Sequence, residues 1–329
     1  MEEGKGTVCV TGGTGFIGSW IIKRLLEDGY SVNATIRSHP DLSFLTNLPG
    51  ASQKLQIFKN AELNNPDSFK EAIEGCMGVF HVATPLDLDD PEEVLTKRSI
   101  DGALGILKAC LASKTVKRVV YTSSGVTVSF DGKKDDDNDD EVMKDEKCWS
   151  DIEYLRSLKT SLGWWSYAIC KTLTEKAMLE FGEQNGLEVV TLLPTHVLGS
   201  FICPKLHGSH RTTLDLAFGG GDSGAYLQTP VVHVDDVARA HIFLLEHPNP
   251  KGRYICSACS VTIEDIYEIL SVKYPEFQIP TREYLKEMKG PKFSSPSSKK
   301  LMDAGFEFKY GVEEIIVDSI ESCKENGYL

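Results

Sequence analysis

Residues 7–18 read TVCVTGGTGFIG, in which an apolar run leads directly into a glycine-rich turn. The run Thr7–Thr11 predicts a buried strand, and the apolar periodicity of Phe16–Glu27 predicts a helix after it. Glycines between a strand and a helix let the backbone approach a pyrophosphate, which the helix N-terminus stabilises. The sequence therefore predicts a dinucleotide-binding loop, with a tight turn that binds no ligand as the alternative. The predicted cofactor-binding residues of this loop are Gly12, Gly13, Thr14, Gly15, Phe16, Ile17 and Gly18.

Short apolar runs alternate with helical periodicity over the first two hundred residues. Five more strands are predicted, near residues 31–36, 55–58, 77–82, 117–122 and 187–193. This alternation predicts an α/β fold, a doubly wound parallel sheet with helices on both faces. We assign residues 1–194 to this Rossmann domain, with a returning segment at about 231–258. Residues 195–230 and 259–329 are expected to form a smaller α/β substrate lobe, with mainly loops in 203–227.

Composition and charge exclude several classes of protein. The 329 residues are 41% hydrophobic, enough for a packed core, yet no stretch approaches the ~20 apolar residues of a membrane span. A net charge of −13 argues against binding to nucleic acid or insertion at an anionic membrane. Because the N-terminus leads directly into the first strand, we expect a cytoplasmic protein. We also expect the protein to be a monomer.

The nine cysteines are scattered along the chain and predict no disulfide framework. Cys256 and Cys259 form the one C-x-x-C pair, and no second pair stands at metal-binding spacing. A coincidence at a strand end is therefore favoured over a zinc or redox site, and no metal site is predicted.

The end of the second predicted strand indicates which dinucleotide binds. An NAD site usually places an acidic residue there to hold the ribose 2′-hydroxyl, whereas this chain has Arg37. A guanidinium can pair with a 2′-phosphate through two hydrogen bonds. The sequence therefore favours NADPH/NADP+, with a solvated strand-end charge as the alternative.

Tyr167 and Lys171 form a Y-x-x-x-K pair within the long predicted helix Trp164–Asn185. This spacing places both side chains on one helix face. A nearby ammonium, together with the positive nicotinamide ring, is expected to lower the pKa of Tyr167. The phenol could then donate its proton to a carbonyl oxygen as hydride reaches the carbonyl carbon.

A third catalytic residue is expected at the end of the fifth predicted strand, where the chain carries Thr122, Ser123 and Ser124. A neutral hydroxyl there would polarise the carbonyl and stabilise charge on its oxygen. We assign this role to Ser124 and expect Thr122 or Ser123 to face the cofactor. Hydroxyls that cap their own backbone are the alternative for any one of the three.

Together these motifs resemble those of the extended short-chain dehydrogenase/reductases. The resemblance is carried by residues 11–18, 122–124 and 167–171. Narrower similarities, in residues 80–85, 101–110, 171–176 and 232–241, are to the plant dihydroflavonol reductase branch. The resemblance implies NADPH-dependent reduction of a ketone to a secondary alcohol. The implied substrate is an aromatic or cyclic ketone of plant specialised metabolism, flavonoid- or isoflavonoid-like.

The resemblance also implies roles for residues outside the motifs, and it implies that Lys171 bonds the nicotinamide ribose. The segment after Arg37 is shorter than in the family, which weakens the expected preference for NADPH. Dihydroflavonol reductases carry an asparagine at the position of Ser129, so dihydroflavonol itself is disfavoured as the substrate. Further cofactor contacts are implied for Glu62, Leu63, Val82, Ala83, Thr84, Pro194 and Val197, and substrate contacts for Pro85, Ser129, Trp165 and His196.

Two other functions remain open. A nucleotide-sugar epimerase or dehydratase on the same fold would hold NAD tightly and would bind a sugar diphosphate, whereas Arg37 favours NADPH. An NADP-binding regulatory protein without turnover could dispense with a catalytic residue, whereas Ser124, Tyr167 and Lys171 are all present.

Much of the negative charge lies in one segment. Residues 131–147 contain nine acidic residues and four lysines, a net charge of −5 out of the −13 of the whole chain. The segment separates the predicted catalytic strand from the catalytic helix. We expect a solvated loop there, with a substrate-gating role as the alternative.

Overall fold

In the computed structural model, residues 5–85, 90–132, 143–158, 164–218, 227–288, 293 and 295–329 are described. Their strands form a seven-stranded sheet and a three-stranded sheet. The strands are β1 (Thr7–Thr11), β2 (Ser31–Thr35), β3 (Leu55–Phe58), β4 (Gly78–His81), β5 (Arg118–Thr122), β6 (Glu188–Pro194), β7 (His196–Leu198), β8 (Gln228–His233), β9 (Gly252–Cys256) and β10 (Cys259–Thr262).

Helices connect these strands, and in the part of the chain that is described none is long and apolar enough to cross a membrane. A 3₁₀ turn over Pro66–Phe69 precedes α4. The helices are α1 (Phe16–Glu27), α2 (Ser43–Thr46), α3 (Ala51–Lys54), α4 (Lys70–Ile73), α5 (Glu92–Ser113), α6 (Val126–Ser129), α7 (Ile152–Leu158), α8 (Trp164–Asn185), α9 (Gly208–Thr213), α10 (Val234–Glu246), α11 (Ile263–Lys273), α12 (Arg282–Glu287), α13 (Lys299–Asp303) and α14 (Val312–Glu325).

The large sheet confirms the predicted doubly wound fold. Its strand order is β3-β2-β1-β4-β5-β6-β9, and every pair is parallel. Side chains alternate along each strand, so Val119 and Tyr121 of β5 pack with residues of α5 and α8, while Val120 packs with residues of α1 and α10. This alternation decides which side chains of β5 reach each side of the site.

A buried carboxylate ties α1 to α10. Trp20 Nε1 donates to Asp235 Oδ1 at 2.8 Å, and Arg24 Nη2 donates to Asp235 Oδ2 at 2.6 Å. Burial raises the pKa of Asp235, but the hydrogen bonds from Arg24 and Trp20 outweigh burial and lower it. The charged carboxylate therefore fixes the helix that begins at the glycine loop against its neighbour.

The small sheet was not predicted. Its order is β10-β8-β7, with β8 antiparallel to β10 and parallel to β7. β7 has three residues and β10 has four, too few for a periodic pattern in the sequence. Of the two strands in the predicted returning segment, β8 lies in the small sheet and β9 lies in the large sheet. The division into a Rossmann domain and a substrate lobe remains a prediction.

The acidic segment is only partly within the described residues, because 133–142 lie outside them. Lys144 Nζ pairs with the carboxylate of Asp131, so the described residues on the two sides of this gap contact each other. On the far side of the gap, Glu146 Oε1 accepts the Ile255 N–H at 3.0 Å. Both ends are thus held by the fold, and the role of the residues between them remains a prediction.

We predict that stability falls as the pH drops below about 6.5. Burial lowers the pKa of each of several histidines, so the unfolded chain binds more protons between pH 6.5 and 4, which disfavours the fold by up to about 1.4 kcal/mol per histidine per pH unit. Urea unfolding at pH 7.5, 6.5, 5.5 and 5 measures this. The pKa values are about 3 for His81 and His207 and about 4 for His196, His210, His233 and His241.

His207→Phe is the matched variant for this titration. The His207 ring stacks on Phe16 with centroids 4.7 Å apart, so phenylalanine preserves the stacking but cannot take up a proton. The variant should lose less stability on acidification than the wild type. A stability profile that is flat between pH 7 and 5 would contradict the prediction.

Candidate active site

The glycine loop joins β1 to α1, and its backbone leaves no room for side chains. Gly12 has a φ of +73°, and a Cβ there would lie 3.0 Å from Ala83 Cα. A Cβ at Gly18 would lie 2.3 Å from the Gly12 carbonyl oxygen. Glycine is therefore required at both positions, because the first turn of α1 touches the loop directly.

The first amides of α1 are available to an anion. The helix begins at Phe16 with Gly15 as its N-cap, and no side chain of the described residues caps this end. No acidic residue stands in the first turn either. These amides and the positive end of the helix dipole attract a pyrophosphate, so the loop fits the dinucleotide that the sequence predicts.

The turn after β4 connects the glycine loop to the catalytic helix. Thr11 Oγ1, at the end of β1, accepts the N–H groups of Val82 and Ala83, both at 3.1 Å. Lys171 Nζ donates to Thr84 Oγ1 at 3.2 Å. The turn therefore bridges the predicted phosphate site and the predicted catalytic lysine.

Ser124 and Tyr167 meet beside this turn. Ser124 follows β5 and Tyr167 lies in the first turn of α8, and the Ser124 hydroxyl is close enough to lower the pKa of the Tyr167 phenol. The Gly125 N–H donates to the Pro194 carbonyl at 2.8 Å, which fixes the segment after β5 beside the end of β6. The structure thus brings together two of the three predicted catalytic residues.

Lys171, the third, is almost fully buried. Its ammonium donates to the Thr122 carbonyl at 2.7 Å, to Tyr121 Oη at 3.1 Å and to Thr84 Oγ1. Burial lowers the pKa of Lys171 to about 8, although Cys170 and Glu175 act in the opposite direction.

The expected lowering of the Tyr167 pKa is not what the protein's own groups produce. Burial raises the pKa of Tyr167, and the hydrogen bond with Ser124 offsets only part of this effect. Lys171 donates its hydrogen bonds to residues of β5 and of the turn after β4 rather than to Tyr167. The protein alone therefore keeps Tyr167 a neutral phenol, the form that can donate a proton.

The hydroxyls of Thr122 and Ser123 are bonded to protein groups, and a contact of either residue with the cofactor remains a prediction. Thr122 Oγ1 lies 2.7 Å from His241 Nε2, on the side of α10. Ser123 Oγ donates to Glu175 Oε2 at 2.7 Å. Both hydroxyls are buried and already bonded to protein groups, and Thr122 contributes only its carbonyl, through Lys171.

A buried ion pair below the site was not found from the sequence. Arg253 Nε donates to Glu175 Oε1 at 2.9 Å, and both side chains are almost completely buried. Thr191 Oγ1 also donates to Glu175 Oε1, at 2.6 Å, and Arg253 Nη2 donates to Thr127 Oγ1 at 2.8 Å. The available signal was a single arginine inside the otherwise apolar strand β9.

The implied adenosine contacts lie beyond β2 and β3. Arg37 and Glu62 are exposed, whereas Leu63 is half-buried. Leu63 packs so closely on α5 that a Cβ at Gly102 would lie 2.9 Å from Leu63 Cβ. The roles of these residues toward a dinucleotide remain predictions.

Three implied contacts lie at the end of β6 and in β7. Pro194 and Val197 are buried, and His196 Nδ1 lies 2.6 Å from Thr229 Oγ1. Burial lowers the pKa of His196 to about 4, although a hydrogen bond with the backbone of Pro230 acts in the opposite direction. His196 is therefore neutral at physiological pH and does not act as a general acid there.

The candidate substrate residues are distributed unequally around Tyr167. Pro85 is half-buried in the β4 turn, next to Thr84. Ser129 Oγ donates to the Gly125 carbonyl at 2.8 Å, so this hydroxyl is engaged within α6. Trp165 is half-buried and packs against the apolar cluster at the start of α8.

An aromatic cluster near the start of α8 contains residues that the sequence did not single out. The ring centroids of Phe130 and Trp164 lie 4.9 Å apart, and those of Phe130 and Phe293 lie 6.2 Å apart. Phe130 directly follows Ser129, and Trp164 precedes Tyr167 by three residues. Aromatic surface of this kind suits a planar aromatic ligand.

The fold and these residues define a dinucleotide-dependent enzyme class. The profile of the NAD dependent epimerase/dehydratase family matches residues 8–256, about three quarters of the chain. The protein belongs to this family, which confirms the class inferred from the glycine loop and the Y-x-x-x-K pair.

Within that class, three curated plant relatives are similar over nearly the whole chain. Vestitone reductase of Medicago sativa is 58% identical over 335 residues and covers 100% of both chains. Protein BRI1-5 ENHANCED 1 of Arabidopsis thaliana is 50% identical, covering 98% of this chain and 90% of its own. Dihydroflavonol 4-reductase of Arabidopsis thaliana is 44% identical, covering 100% and 85%. The resemblance to the dihydroflavonol reductase branch is therefore confirmed.

Solved structures agree with this placement. The crystal structure of vestitone reductase from alfalfa superposes with a TM-score of 0.89 at 58% identity, covering 99% of this chain and 100% of that one. Yeast methylglyoxal/isovaleraldehyde reductase Gre2, complexed with NADPH, gives a TM-score of 0.81 at 24% identity, covering 98% and 100%. At that identity the second match shows the shared fold only.

We predict that Gly18→Ala weakens NADPH binding at least tenfold. A methyl group 2.3 Å from the Gly12 carbonyl must displace the loop from the first turn of α1, and the amides that face the pyrophosphate then move apart. Titration of NADPH fluorescence measures the dissociation constant. Gly208→Ala is the matched control, because a Cβ at Gly208 meets nothing within 4 Å. Equal binding by the two variants would contradict the prediction.

Proposed function

We propose that the protein is an NADPH-dependent reductase that converts the ketone of a flavonoid- or isoflavonoid-like compound to a secondary alcohol. The observation that carries this proposal is the placement of the Ser124 hydroxyl beside the Tyr167 phenol, with Lys171 one helical turn further along α8. Full-length similarity to vestitone reductase and to dihydroflavonol 4-reductases supports the substrate class.

Each of the three residues Ser124, Tyr167 and Lys171 has a separate role in the proposed reaction. NADPH, when bound, supplies the hydride that reaches the carbonyl carbon. Tyr167, kept neutral by burial, donates its proton to the carbonyl oxygen, while the Ser124 hydroxyl hydrogen-bonds the same oxygen and stabilises its developing charge. Lys171 would bond a ribose hydroxyl of the dinucleotide in exchange for one of its present acceptors, and its positive charge favours the phenolate left on Tyr167.

Two features of the site support an aromatic ketone as the substrate. The cluster of Phe130, Trp164 and Phe293 offers flat apolar surface near the start of α8, close in sequence to Tyr167. Ser129 stands at the position where dihydroflavonol reductases carry an asparagine, and its hydroxyl donates a hydrogen bond to the Gly125 carbonyl. Because Ser129 offers no free donor, an isoflavanone-type ketone fits this position better than a polyhydroxylated dihydroflavonol.

The two alternatives predict different behaviour. A nucleotide-sugar epimerase or dehydratase would retain NAD through purification and turn over a sugar diphosphate. A regulatory protein would bind NADPH without reducing any ketone. The complete set of Ser124, Tyr167 and Lys171, with Ser124 beside Tyr167, favours turnover over binding alone.

We predict that Tyr167→Phe lowers kcat by about 10²- to 10⁴-fold, because the general acid is lost, while NADPH binds as before. NADPH oxidation is followed against a panel of isoflavanones, dihydroflavonols and other cyclic ketones. Tyr30→Phe is the control, since Tyr30 Oη bonds Glu246 at 2.8 Å, away from the candidate site. Full turnover by Tyr167→Phe would show that the proposed mechanism is wrong, and NADPH binding without turnover of any ketone by the wild type would favour the regulatory protein.

We also predict that Arg37→Ala raises the KM for NADPH by about tenfold and leaves the KM for NADH within twofold. Only the 2′-phosphate distinguishes the two dinucleotides, and a guanidinium is its strongest protein partner. Steady-state kinetics with both cofactors measure the ratio. Lys54→Ala, which removes a cation bonded to the Gly29 carbonyl instead, is the control. Equal effects of Arg37→Ala on both cofactors would exclude a role for Arg37 in binding the 2′-phosphate.

A further inference from the structure

We propose that Tyr121 is a positioning residue for Lys171: its hydroxyl accepts an N–H of the buried ammonium and holds it, charged, facing the predicted cofactor site. This inference rests on the proposed function, since it concerns how the catalytic lysine is kept ready. Tyr121 belongs to none of the motifs that point to the reaction. It is the fourth residue of β5, three residues before Ser124.

The first observation is the contact itself. Lys171 Nζ lies 3.1 Å from Tyr121 Oη and 4.6 Å from the centroid of the Tyr121 ring. An ammonium has three N–H donors, and the partners of Lys171 are the Thr122 carbonyl, Tyr121 Oη and Thr84 Oγ1. All three acceptors are neutral. Each of them therefore contributes a substantial share of the solvation that replaces water around this charge.

The second observation is that the Tyr121 ring is buried and packed against another ring. The residue is 2% exposed, and the His81 ring stacks on it with centroids 5.4 Å apart. His81 Nδ1 in turn lies 2.9 Å from Thr11 Oγ1, at the end of β1. The position of Tyr121 Oη therefore depends on a chain of contacts through His81 to Thr11, which directly precedes the glycine loop. This chain links the predicted cofactor loop to Lys171.

The third observation concerns the charges around Lys171. The titratable groups that face it are His81 from β4, Tyr121 from β5, and Tyr167, Cys170 and Glu175 from its own helix, while α5 contributes Ser99 to the same small cavity. Burial keeps the His81 ring and the Tyr121 phenol neutral at physiological pH, because it lowers the pKa of His81 to about 3 and raises the pKa of Tyr121. Glu175 is committed to Arg253. Glu175 and Cys170 still raise the pKa of Lys171, but the three groups that accept a hydrogen bond from the ammonium are neutral.

These observations give the sign of the effect. Burial lowers the pKa of Lys171 to about 8, close to physiological pH. A hydrogen bond that the ammonium donates to Tyr121 favours the charged form. Removal of that acceptor lowers the pKa of Lys171 further, so the neutral amine appears at lower pH. Reduction that requires the ammonium should then be lost at lower pH as well.

The test compares Tyr121→Phe with Tyr30→Phe, two buried tyrosines that each lose one hydroxyl. In the first measurement, all lysines carry ¹³C at Cε, the Lys171 signal is assigned by its absence in Lys171→Met, and its titration is followed by NMR. We expect the Lys171 titration in Tyr121→Phe to move down by about one pH unit, since a hydrogen bond to a charged group is lost. Tyr30→Phe should titrate like the wild type.

The second measurement is the pH profile of ketone reduction. Tyr121→Phe should lower kcat about threefold at pH 7.5, as follows from a one-unit shift of a pKa of about 8, leave the ketone KM within threefold, and move the alkaline limb down by about one pH unit. An unchanged Lys171 titration in Tyr121→Phe, or the same change in Tyr30→Phe, overturns the proposal. If the wild type reduces no ketone, the proposed function fails, whereas the NMR titration still decides the role of Tyr121. Should Tyr121→Phe not fold, 3-fluorotyrosine at position 121, a weaker acceptor of the same shape, must move the Lys171 titration in the same direction.

Discussion

The burial of one ammonium group organises the edge of the sheet where the site lies. A charge removed from water needs acceptors on every side, and Lys171 finds them in three different places: the turn after β4, the Tyr121 side chain and the Thr122 carbonyl. These partners hold β4, β5 and α8 at fixed distances from one another. Because the β4 turn also rests on Gly12, the dinucleotide loop and the catalytic helix keep one common geometry.

A second buried charge lies one helical turn further along α8 and supports the other side of Ser124. Glu175 accepts hydrogen bonds from Ser123 at 2.7 Å and Thr191 at 2.6 Å, and it pairs with Arg253. Arg253 also bonds Thr127 in α6, so the residues before and after Ser124 are both held. Loss of either partner would leave an uncompensated buried charge. The orientation of the Ser124 hydroxyl toward Tyr167 therefore depends on residues that never touch a substrate.

The parts of the site that the sequence predicted are those encoded locally. Residues 7–18 contain the strand, the turn and the start of the helix, and the four-residue spacing of Tyr167 and Lys171 fixes their common face in any helix. The partners of β5 are not local: Thr122 bonds a histidine 119 residues away, and Ser123 bonds a glutamate 52 residues away. A strand pattern indicates alternation but not which face meets which helix, so the sequence did not show that these two hydroxyls bond α10 and α8. The small sheet was missed for the same reason, since its short strands are defined only by distant partners.

This separation between local and distant determinants also bears on substrate choice. The predicted catalytic residues stand on β5 and α8 and are held by two buried charges, so this part of the site tolerates little change. The aromatic surface comes instead from Phe130, Trp164 and Phe293, which lie on three segments far apart in the sequence and are linked by apolar contacts. Apolar contacts of this kind accept substitution at lower cost than a buried ion pair does. Proteins of this fold can therefore keep one reaction while the apolar residues around the substrate change. The identity of the ketone is expected to depend on those apolar residues rather than on the predicted catalytic residues.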